Sequence, residues 1–393
     1  MTNYTFNRKL RPQANRRSGS KKPTIHPSQF VKEANPVDAS DYIADNQFSS
    51  FAIHPLLKNN IAAKGYKTPS EIQDKTIPHG LAGSDVIGIA NTGTGKTAAF
   101  ALPILNKLLH GGGQALIIAP TRELAIQIEE QCRLIARNSG LTGALLIGGM
   151  PLSKQIRDLK NGARVIIGTP GRIKDHLRQG TLHLGNCNMV VLDEVDRMLD
   201  MGFINDVSFI LEKMPASKQS FFFSATLSPE INKLIQSFTH EPVTINVKVG
   251  ETSENVHQGV IHYSGKTERL DKLHDILIRP DVKKALIFGG TKYGVERLSK
   301  ELNERGFKSV SLHGGKNQGQ RKRALDSFRE HSSNILVATD VAARGIDVIG
   351  ITHVINFDVP QSYEDYIHRI GRAGRAGEIG YAITLLPDDY RVG

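Results

Sequence analysis

Short, uninterrupted apolar runs recur along this chain, each followed by a stretch with helical spacing, and that alternation restricts the fold more than anything else. In the first half the runs are Val86–Ala90, Ala115–Ala119, Ala144–Ile147, Val165–Ile167, Met189–Leu192 and Ser220–Phe223. Helix-like segments such as Glu123–Ala136 and Lys154–Lys160 lie between them. A strand that is apolar on both faces must be covered on both, which helices do in a parallel sheet. After a polar stretch, Val247–Gln258, the alternation restarts with Val260–Tyr263, Ala285–Phe288, Ser309–Leu312, Ile335–Val337, Thr352–Asn356 and Tyr381–Leu385. The expected fold is α/β, with two tandem doubly wound parallel-sheet domains at 46–246 and 259–393 and a linker at 247–258. With 393 residues, the chain is long enough to give each domain its own core.

Charge adds a second constraint. The chain carries 50 Lys and Arg against 39 Asp and Glu, a formal charge of +11, which favours a polyanionic partner. Net charge serves solubility equally well, so its placement matters. Arg8, Lys9, Arg11, Arg16, Arg17, Lys21 and Lys22 fall within residues 1–23 without a single acid, in a stretch poor in apolar residues. Residues 1–45 are therefore expected to form a disordered basic N-terminal arm. No apolar h-region opens the chain, so no secretory signal is expected. The alternative is an organelle transit peptide, although Pro12, Pro23 and Pro27 would interrupt its amphipathic helix. No run approaches the roughly 18 apolar residues of a spanning helix, and no membrane partner is expected. Cys132 and Cys187 sit in no CxxC or Cys/His cluster, which argues for a reducing, cytoplasmic setting. The chain ends at Gly393, soon after the last apolar run, and no C-terminal targeting domain is expected.

The run Val86–Ala90 leads into Asn91, Thr92, Gly93, Thr94, Gly95, Lys96 and Thr97, followed by helical Ala98-Ala99-Phe100. This is a P-loop in its strand–loop–helix setting, with Ala90 where the general pattern has Gly. Glycines let backbone N–H groups approach phosphate oxygens, and the helix N-terminus favours negative charge. Lys96 is placed to reach the β- and γ-phosphates, and the Thr97 hydroxyl to reach Mg²⁺. The competing reading is a glycine-rich turn before an ordinary helix. Met189–Leu192 ends in Asp193-Glu194-Val195-Asp196. An acid at such a strand end can hold Mg²⁺, and a neighbouring acid can orient and deprotonate a water. Acids there also serve as helix caps, but a P-loop upstream favours the catalytic reading.

Further segments make the likeness specific. Asp193-Glu194-Val195-Asp196, Ser224-Ala225-Thr226, and His368-Arg369-Ile370-Gly371-Arg372-Ala373-Gly374-Arg375 occur in order. So do Pro120-Thr121-Arg122-Glu123-Leu124, Thr169-Pro170-Gly171-Arg172 and Ala342-Ala343-Arg344-Gly345-Ile346-Asp347. Together they resemble the DEAD-box ATP-dependent RNA helicase family over about residues 48–388, and Arg197–Phe203 resembles its short bacterial members. The resemblance implies two RecA-like domains, P-loop NTPases of helicase superfamily 2, using ATP and Mg²⁺. Four positions depart from the commonest family pattern: Val195 for Ala, Ala373 for Thr, Gly315 for Asp and Asn91 for Gln. None removes a charge needed for hydrolysis.

By that resemblance, Asp193 serves Mg²⁺, Glu194 activates water, and Asp196 joins Ser224, Ala225 and Thr226 in coupling nucleotide state to RNA, with His368 in the same role. Ser228 and Pro229 read equally as the cap and first residue of the next helix. Arg372 and Arg375 are implied arginine fingers from the second domain, and surface arginines pairing with acids across a closed interface are the alternative. Gly345 and Asp347 are placed in the nucleotide site. Gly65–Gln73 resembles the family's adenine-reading motif: Gln73 can bond adenine N6 and N7, Tyr66 can stack, and Phe48 stands where the family has an isolated aromatic. Ser70 and Gln73 also spell a capping box, so both readings stay open.

Pro120, Thr121, Arg122, Gly148, Gly149, Thr169, Pro170, Gly171 and Arg172 of the first domain are expected to line an RNA backbone track. Thr291, Arg321, Thr339 and Gly345 would continue it in the second. Helix N-termini and glycines suit phosphate contact, and such contacts position RNA with little sequence preference. Ribosomal or messenger ribonucleoproteins are the expected larger partners. A DNA helicase, a non-catalytic RNA clamp and a metabolic kinase are the rival readings. The clamp should have lost Lys96, Glu194 or Arg372, and the kinase leaves the second domain's arginines unexplained. If about half of the cations in residues 1–23 contact phosphates, deleting the arm should flatten the slope of log K against log salt by roughly 2–3 units. RNA-saturated hydrolysis should barely change, and an unchanged slope would leave the arm a solubility tail.

Overall fold

The computed structural model describes residues 25–35, 42–91, 93–247, 252–343, 348, 350–374 and 378–391. In the first domain, α1 (Pro55–Ala63) and α2 (Glu71–Ala82) precede β1 (Val86–Ile89) and α3 (Lys96–Leu109). The chain continues through β2 (Gln114–Ile118), α4 (Arg122–Ile135), β3 (Gly143–Leu146), α5 (Leu152–Lys160), β4 (Val165–Gly168) and α6 (Pro170–Arg178). Then come β5 (Cys187–Asp193), α7 (Val195–Asp200), α8 (Ile204–Leu211), β6 (Gln219–Ser224), α9 (Pro229–Phe238) and β7 (Val243–Asn246). The second domain holds β8 (Val256–Tyr263), α10 (Gly265–Leu277), β9 (Ala285–Phe288), α11 (Lys292–Glu304), β10 (Ser309–Leu312) and α12 (Gln318–Arg329). It closes with β11 (Ile335–Ala338), α13 (Asp340–Ala343), β12 (His353–Asn356), α14 (Tyr363–Ile370) and β13 (Gly380–Pro387).

The strands form a seven-stranded sheet, β3-β4-β2-β5-β6-β1-β7, and a six-stranded sheet, β10-β11-β9-β12-β13-β8. Every pair between these strands is parallel. Alternate residues of each strand feed opposite cores. On β5, Met189 and Val191 join one cluster, Val190 and Leu192 the other. On β11, Leu336 and Ala338 separate in the same way from Ile335 and Val337. Each fully buried aliphatic side chain contributes about 1.5–3 kcal/mol, so a polar replacement in β5 would be felt in the layer its side chain enters. No helix among the described residues is long and apolar enough to cross a membrane.

Three sequence expectations need correction. The edge strand β7 was not anticipated: Thr244 and Asn246 are exposed, so it lacks the two-sided apolar signature. Val256, His257 and Gln258, assigned to the linker, form the start of β8 and pair with Gly380, Tyr381 and Ala382 of β13. The polar Gln258 misled because its amide has a buried partner, the Tyr366 hydroxyl, which donates to Oε1 at 2.9 Å. Residues 25–35, assigned to a disordered arm, are packed against the second domain, with Ile25 and Phe30 fully buried in its core.

Candidate active site and nucleic-acid track

Gly93 and Gly95 occupy the left-handed region, at φ 89° and 92°. A Cβ on Gly95 would also lie 2.3 Å from Gln73 Nε2, so only glycine fits there. Lys96, the first residue of α3, is buried and donates to the Ala90 carbonyl at 2.9 Å. Thr97 follows on the first helical turn. Thr92 lies outside the described residues.

At the end of β5, Asp193 is 2% exposed, and its Oδ1 has no hydrogen-bond partner. Burial pushes this carboxyl up, against the pull of Lys96. Glu194 stands at φ 57° and ψ 56°, a conformation that costs a non-glycine residue about 1–3 kcal/mol and turns the chain sharply into α7. Burial opposes its ionisation, but Arg197, Lys96, Arg372 and His368 together hold the carboxyl below its ordinary value. Arg197 exerts the strongest of these pulls, from 3.2 Å away as an ion pair that lacks hydrogen-bond geometry. These charges favour the ionised form of a carboxyl that is buried.

Asp196 ties this corner to β6. Its Oδ2 accepts from Ala225 N at 2.8 Å and Thr226 N at 3.2 Å, while Ser224 Oγ accepts from Asp196 N at 3.2 Å. Any shift of the acidic turn therefore moves Ser224-Ala225-Thr226 with it. Val195 is fully buried and Ala373 likewise, so these departures are packing positions. Gly315 N donates to His313 Nδ1, and a Cβ there would come within 3.1 Å of that nitrogen.

Opposite lies α14. A cleft of about 670 Å³ is lined by Lys96, Glu194 and Asp196 on one side and by His368, Gly371 and Arg372 on the other. Arg372 is buried at 3% exposure, so its guanidinium shares a low-dielectric space with Glu194. The neighbouring Arg369 does something else. It makes a bidentate pair with Asp340 at 2.5 and 2.7 Å and also bonds Asn356 and the Asp358 carbonyl, fixing α14 on its sheet. Arg375, Gly345 and Asp347 lie outside the described residues.

The adenine-reading residues take their structural roles. Ser70 N donates to Gln73 Oε1 at 3.0 Å, closing the capping box, and Gln73 Nε2 donates to the Gly95 carbonyl at 3.0 Å. Both ends of the amide are engaged, so reading a base requires exchanging those bonds. Phe48 is 4% exposed and packs edge-on against Phe51 and Tyr66, which corrects its assignment to the nucleotide site. Tyr66 is half-buried against the same core.

Several of the first-domain residues expected along an RNA track adjoin one another. Arg122 lies directly over Gly148 and Gly149, where added Cβ atoms would sit 2.7 Å from its guanidinium nitrogens. Arg172 Nη1 donates to the adjacent Met150 carbonyl at 3.4 Å. Burial lowers the Arg122 pKa, and so do the nearby charges of Arg321 and Arg172, against the opposing pull of Glu123. Thr169 caps α6 without a side-chain bond, and Pro170 and Gly171 follow in its first turn, leaving backbone N–H groups for a ligand. Pro120 and Thr121 are buried, and Thr121 Oγ1 accepts from Leu124 N at 3.3 Å. In the second domain, Thr291 is exposed at the N-terminus of α11, and Thr339 precedes α13.

Arg321 requires a correction. It is 5% exposed, with Nε donating to Glu123 Oε1 at 2.6 Å and Nη1 to the His313 carbonyl at 3.0 Å. It is an interdomain bridge, and its RNA assignment fails because the guanidinium faces protein. Sequence reasoning passed over Glu123, whose partner lies 198 residues away, and over Arg197, which the i,i+3 spacing from Glu194 could have flagged.

Two doubly wound sheets that share a cleft lined by a P-loop lysine on one side and an arginine on the other are the build of a RecA-like, superfamily 2 helicase. Residues 70–234 match the DEAD/DEAH box helicase model and 265–377 the helicase conserved C-terminal domain. The chain belongs to the DEAD-box helicase family. It is 43% identical over 342 residues to the ATP-dependent RNA helicase CshA of Listeria monocytogenes, covering 86% of this chain and 66% of that protein. The chain thus spans just under two thirds of the length of the curated relatives it matches. Among solved structures, it is similar to S. cerevisiae Dbp5 bound to RNA and ADP BeF3, with a TM-score of 0.76, 31% identity and coverage of 87% of this chain and 90% of that one. A DEAD box protein from Methanococcus jannaschii is 38% identical with a TM-score of 0.51, covering 87% of this chain and 93% of that one.

Proposed function

We propose that this chain is an RNA-dependent ATPase that opens short RNA duplexes or remodels ribonucleoproteins, ribosomal or messenger, in the cytoplasm. The cleft in which Glu194 and Lys96 of one domain face Arg372 and His368 of the other carries this reading. An active site split between domains works only while they are together, so whatever holds them together controls hydrolysis. The likeness in domain arrangement to an RNA-bound relative supports the same view.

In this reading the P-loop glycines and the α3 N-terminus hold the phosphates, and Lys96 exchanges the Ala90 carbonyl for a phosphate oxygen. The unpartnered buried Asp193 Oδ1 and the Thr97 hydroxyl fit a Mg²⁺ ion, which would offset phosphate charge. Glu194, whose ionised form is favoured by Arg197, Lys96, Arg372 and His368, orients the attacking water and accepts its proton. Arg372 offers a planar fork to the transferring phosphoryl oxygens. Arg122, Arg172 and the open end of α6 hold RNA by its backbone.

The test is hydrolysis and strand separation with RNA, DNA or neither present. RNA should stimulate ATP turnover and short RNA duplexes should open. Stimulation by DNA alone would favour the DNA helicase, and tight RNA binding without turnover would favour the clamp. Gln73 predicts selectivity: GTP should be hydrolysed far more slowly than ATP, and equal rates would remove the adenine assignment.

A further inference from the structure

We infer that residues 25–35 and 42–46, anchored on opposite domains beside the two ends of the interdomain linker, act as a strap that makes the hinge double. The chain crosses from the first domain to the second after Val247, the last described residue before the linker, and enters β8 at Val256. The N-terminal segment crosses the other way, anchored at both ends.

The anchor on the second domain is substantial. Ile25 and Phe30 are 1% and 0% exposed, Phe30 packs edge-on to Tyr366 at 4.8 Å, and the Tyr390 hydroxyl donates to the Ile25 carbonyl at 3.0 Å. Lys32 then pairs antiparallel with Gln258, with N–H to carbonyl bonds of 3.1 and 2.7 Å in the two directions. Ala34 N donates to His257 Nδ1 at 3.2 Å, and Asn35 N to the Glu254 carbonyl at 2.8 Å. The segment therefore covers the open edge of β8 where the linker arrives.

The anchor on the first domain is one carboxylate. Asp74, 2% exposed on α2, accepts from the Tyr42 hydroxyl at 2.6 Å, Asp45 N at 2.8 Å and Asn46 Nδ2 at 2.8 Å. Although burial opposes it, these bonds hold the Asp74 carboxyl below its ordinary value. Asp45, Asn46 and Asp74 share a recess of about 410 Å³ with Val243–Asn246, the strand that leads into the linker. Both anchors thus adjoin the two ends of the linker. Asp74 also follows Gln73 on α2, next to the P-loop contact.

From Asn35 to Tyr42 there are seven chain steps, so the anchors can separate by at most about 25 Å. Residues 36–41, outside the described residues, enter only as this length of chain. A single crossing leaves the second domain free to rotate about three axes. Two adjacent crossings leave mainly a swing about the line through both, which keeps Arg372 aimed at the Glu194 side of the cleft while the domains are apart.

Inserting twelve Gly/Ser residues between Val37 and Asp38 tests this without touching either anchor. Cys132 and Cys187 are buried, so dyes placed through Lys213→Cys and Lys300→Cys, both exposed, can report interdomain distance. Without ATP or RNA, the insertion should broaden and lengthen the distance distribution in single-molecule energy transfer. Phe30→Ala should act in the same direction; if it unfolds the second domain, the insertion decides. Lengthening the crossing from seven to nineteen steps dilutes the productive encounter about four-fold. The RNA concentration for half-maximal hydrolysis should rise by about that factor, with saturated turnover unchanged. Superimposable distance distributions would overturn the strap, and because that measurement needs neither substrate, it stands apart from the helicase reading.

Discussion

Glu194→Gln should leave ATP and RNA binding nearly intact while hydrolysis falls by about 10²–10⁴-fold, the usual contribution of a positioned base. Gln keeps the size and the hydrogen-bonding edge of Glu but accepts no proton. The expectation is firm because the carboxyl is buried at 4% exposure in a left-handed turn, with Arg197, Lys96, Arg372 and His368 favouring its charge. RNA anisotropy with ATP present should show the variant holding RNA longer than the wild type. Lys96→Ala should abolish turnover as well, but by weakening the grip on the phosphates, so its nucleotide affinity should drop where that of Glu194→Gln does not. Near-normal turnover in Glu194→Gln would remove the proposed base and, with it, the reading of the acidic turn.

The largest effect is expected at Arg372. Arginine fingers are worth about 10³–10⁵ in turnover among NTPases, and Arg372→Lys keeps the charge while losing the fork. Turnover should fall by orders of magnitude at saturating RNA, with ATP affinity little changed because the first domain holds most of the phosphate contacts. A structural arginine behaves differently, and Arg369 provides the comparison. Its four bonds to Asp340, Asn356 and Asp358 hold α14 in place, so Arg369→Lys should lower the melting temperature. Arg372→Lys should cost turnover out of proportion to any change in melting temperature. Near-normal turnover in both Arg372→Lys and Arg375→Lys would rule out the fingers and put the split active site in doubt.

Sequence alone determined whatever depends on neighbours along the chain. Two-sided apolar runs dictate parallel strands, because such a strand has no face to give to water. Gly93, Gly95 and Lys96 after β1, and Asp193 and Glu194 after β5, each lie within one strand–loop–helix unit, so the roles proposed for them could be formulated before any fold was known. The helix caps at Thr121, Ser228 and Thr291 are local in the same sense.

Tertiary structure decided the partners. Arg321 carries the same guanidinium whether it meets phosphate or Glu123, and only the packing of the two domains places it 2.6 Å from the carboxylate. Resemblance puts Phe48 in the nucleotide site, but Phe51 and Tyr66 pack edge-on against it; in sequence Gln73 reads as an adenine reader or a capping-box residue, and the fold shows the capping bond together with a P-loop bond that the sequence does not suggest. Val256–Gln258 and residues 25–35 are polar or sparsely apolar, so periodicity placed them outside the domains. A sheet edge supplies backbone bonds to almost any side chain, and a core takes a lone Phe30 from anywhere in the chain. Motif chemistry is written in residue types at fixed spacing, whereas burial and pairing depend on which distant surfaces the folded chain brings together.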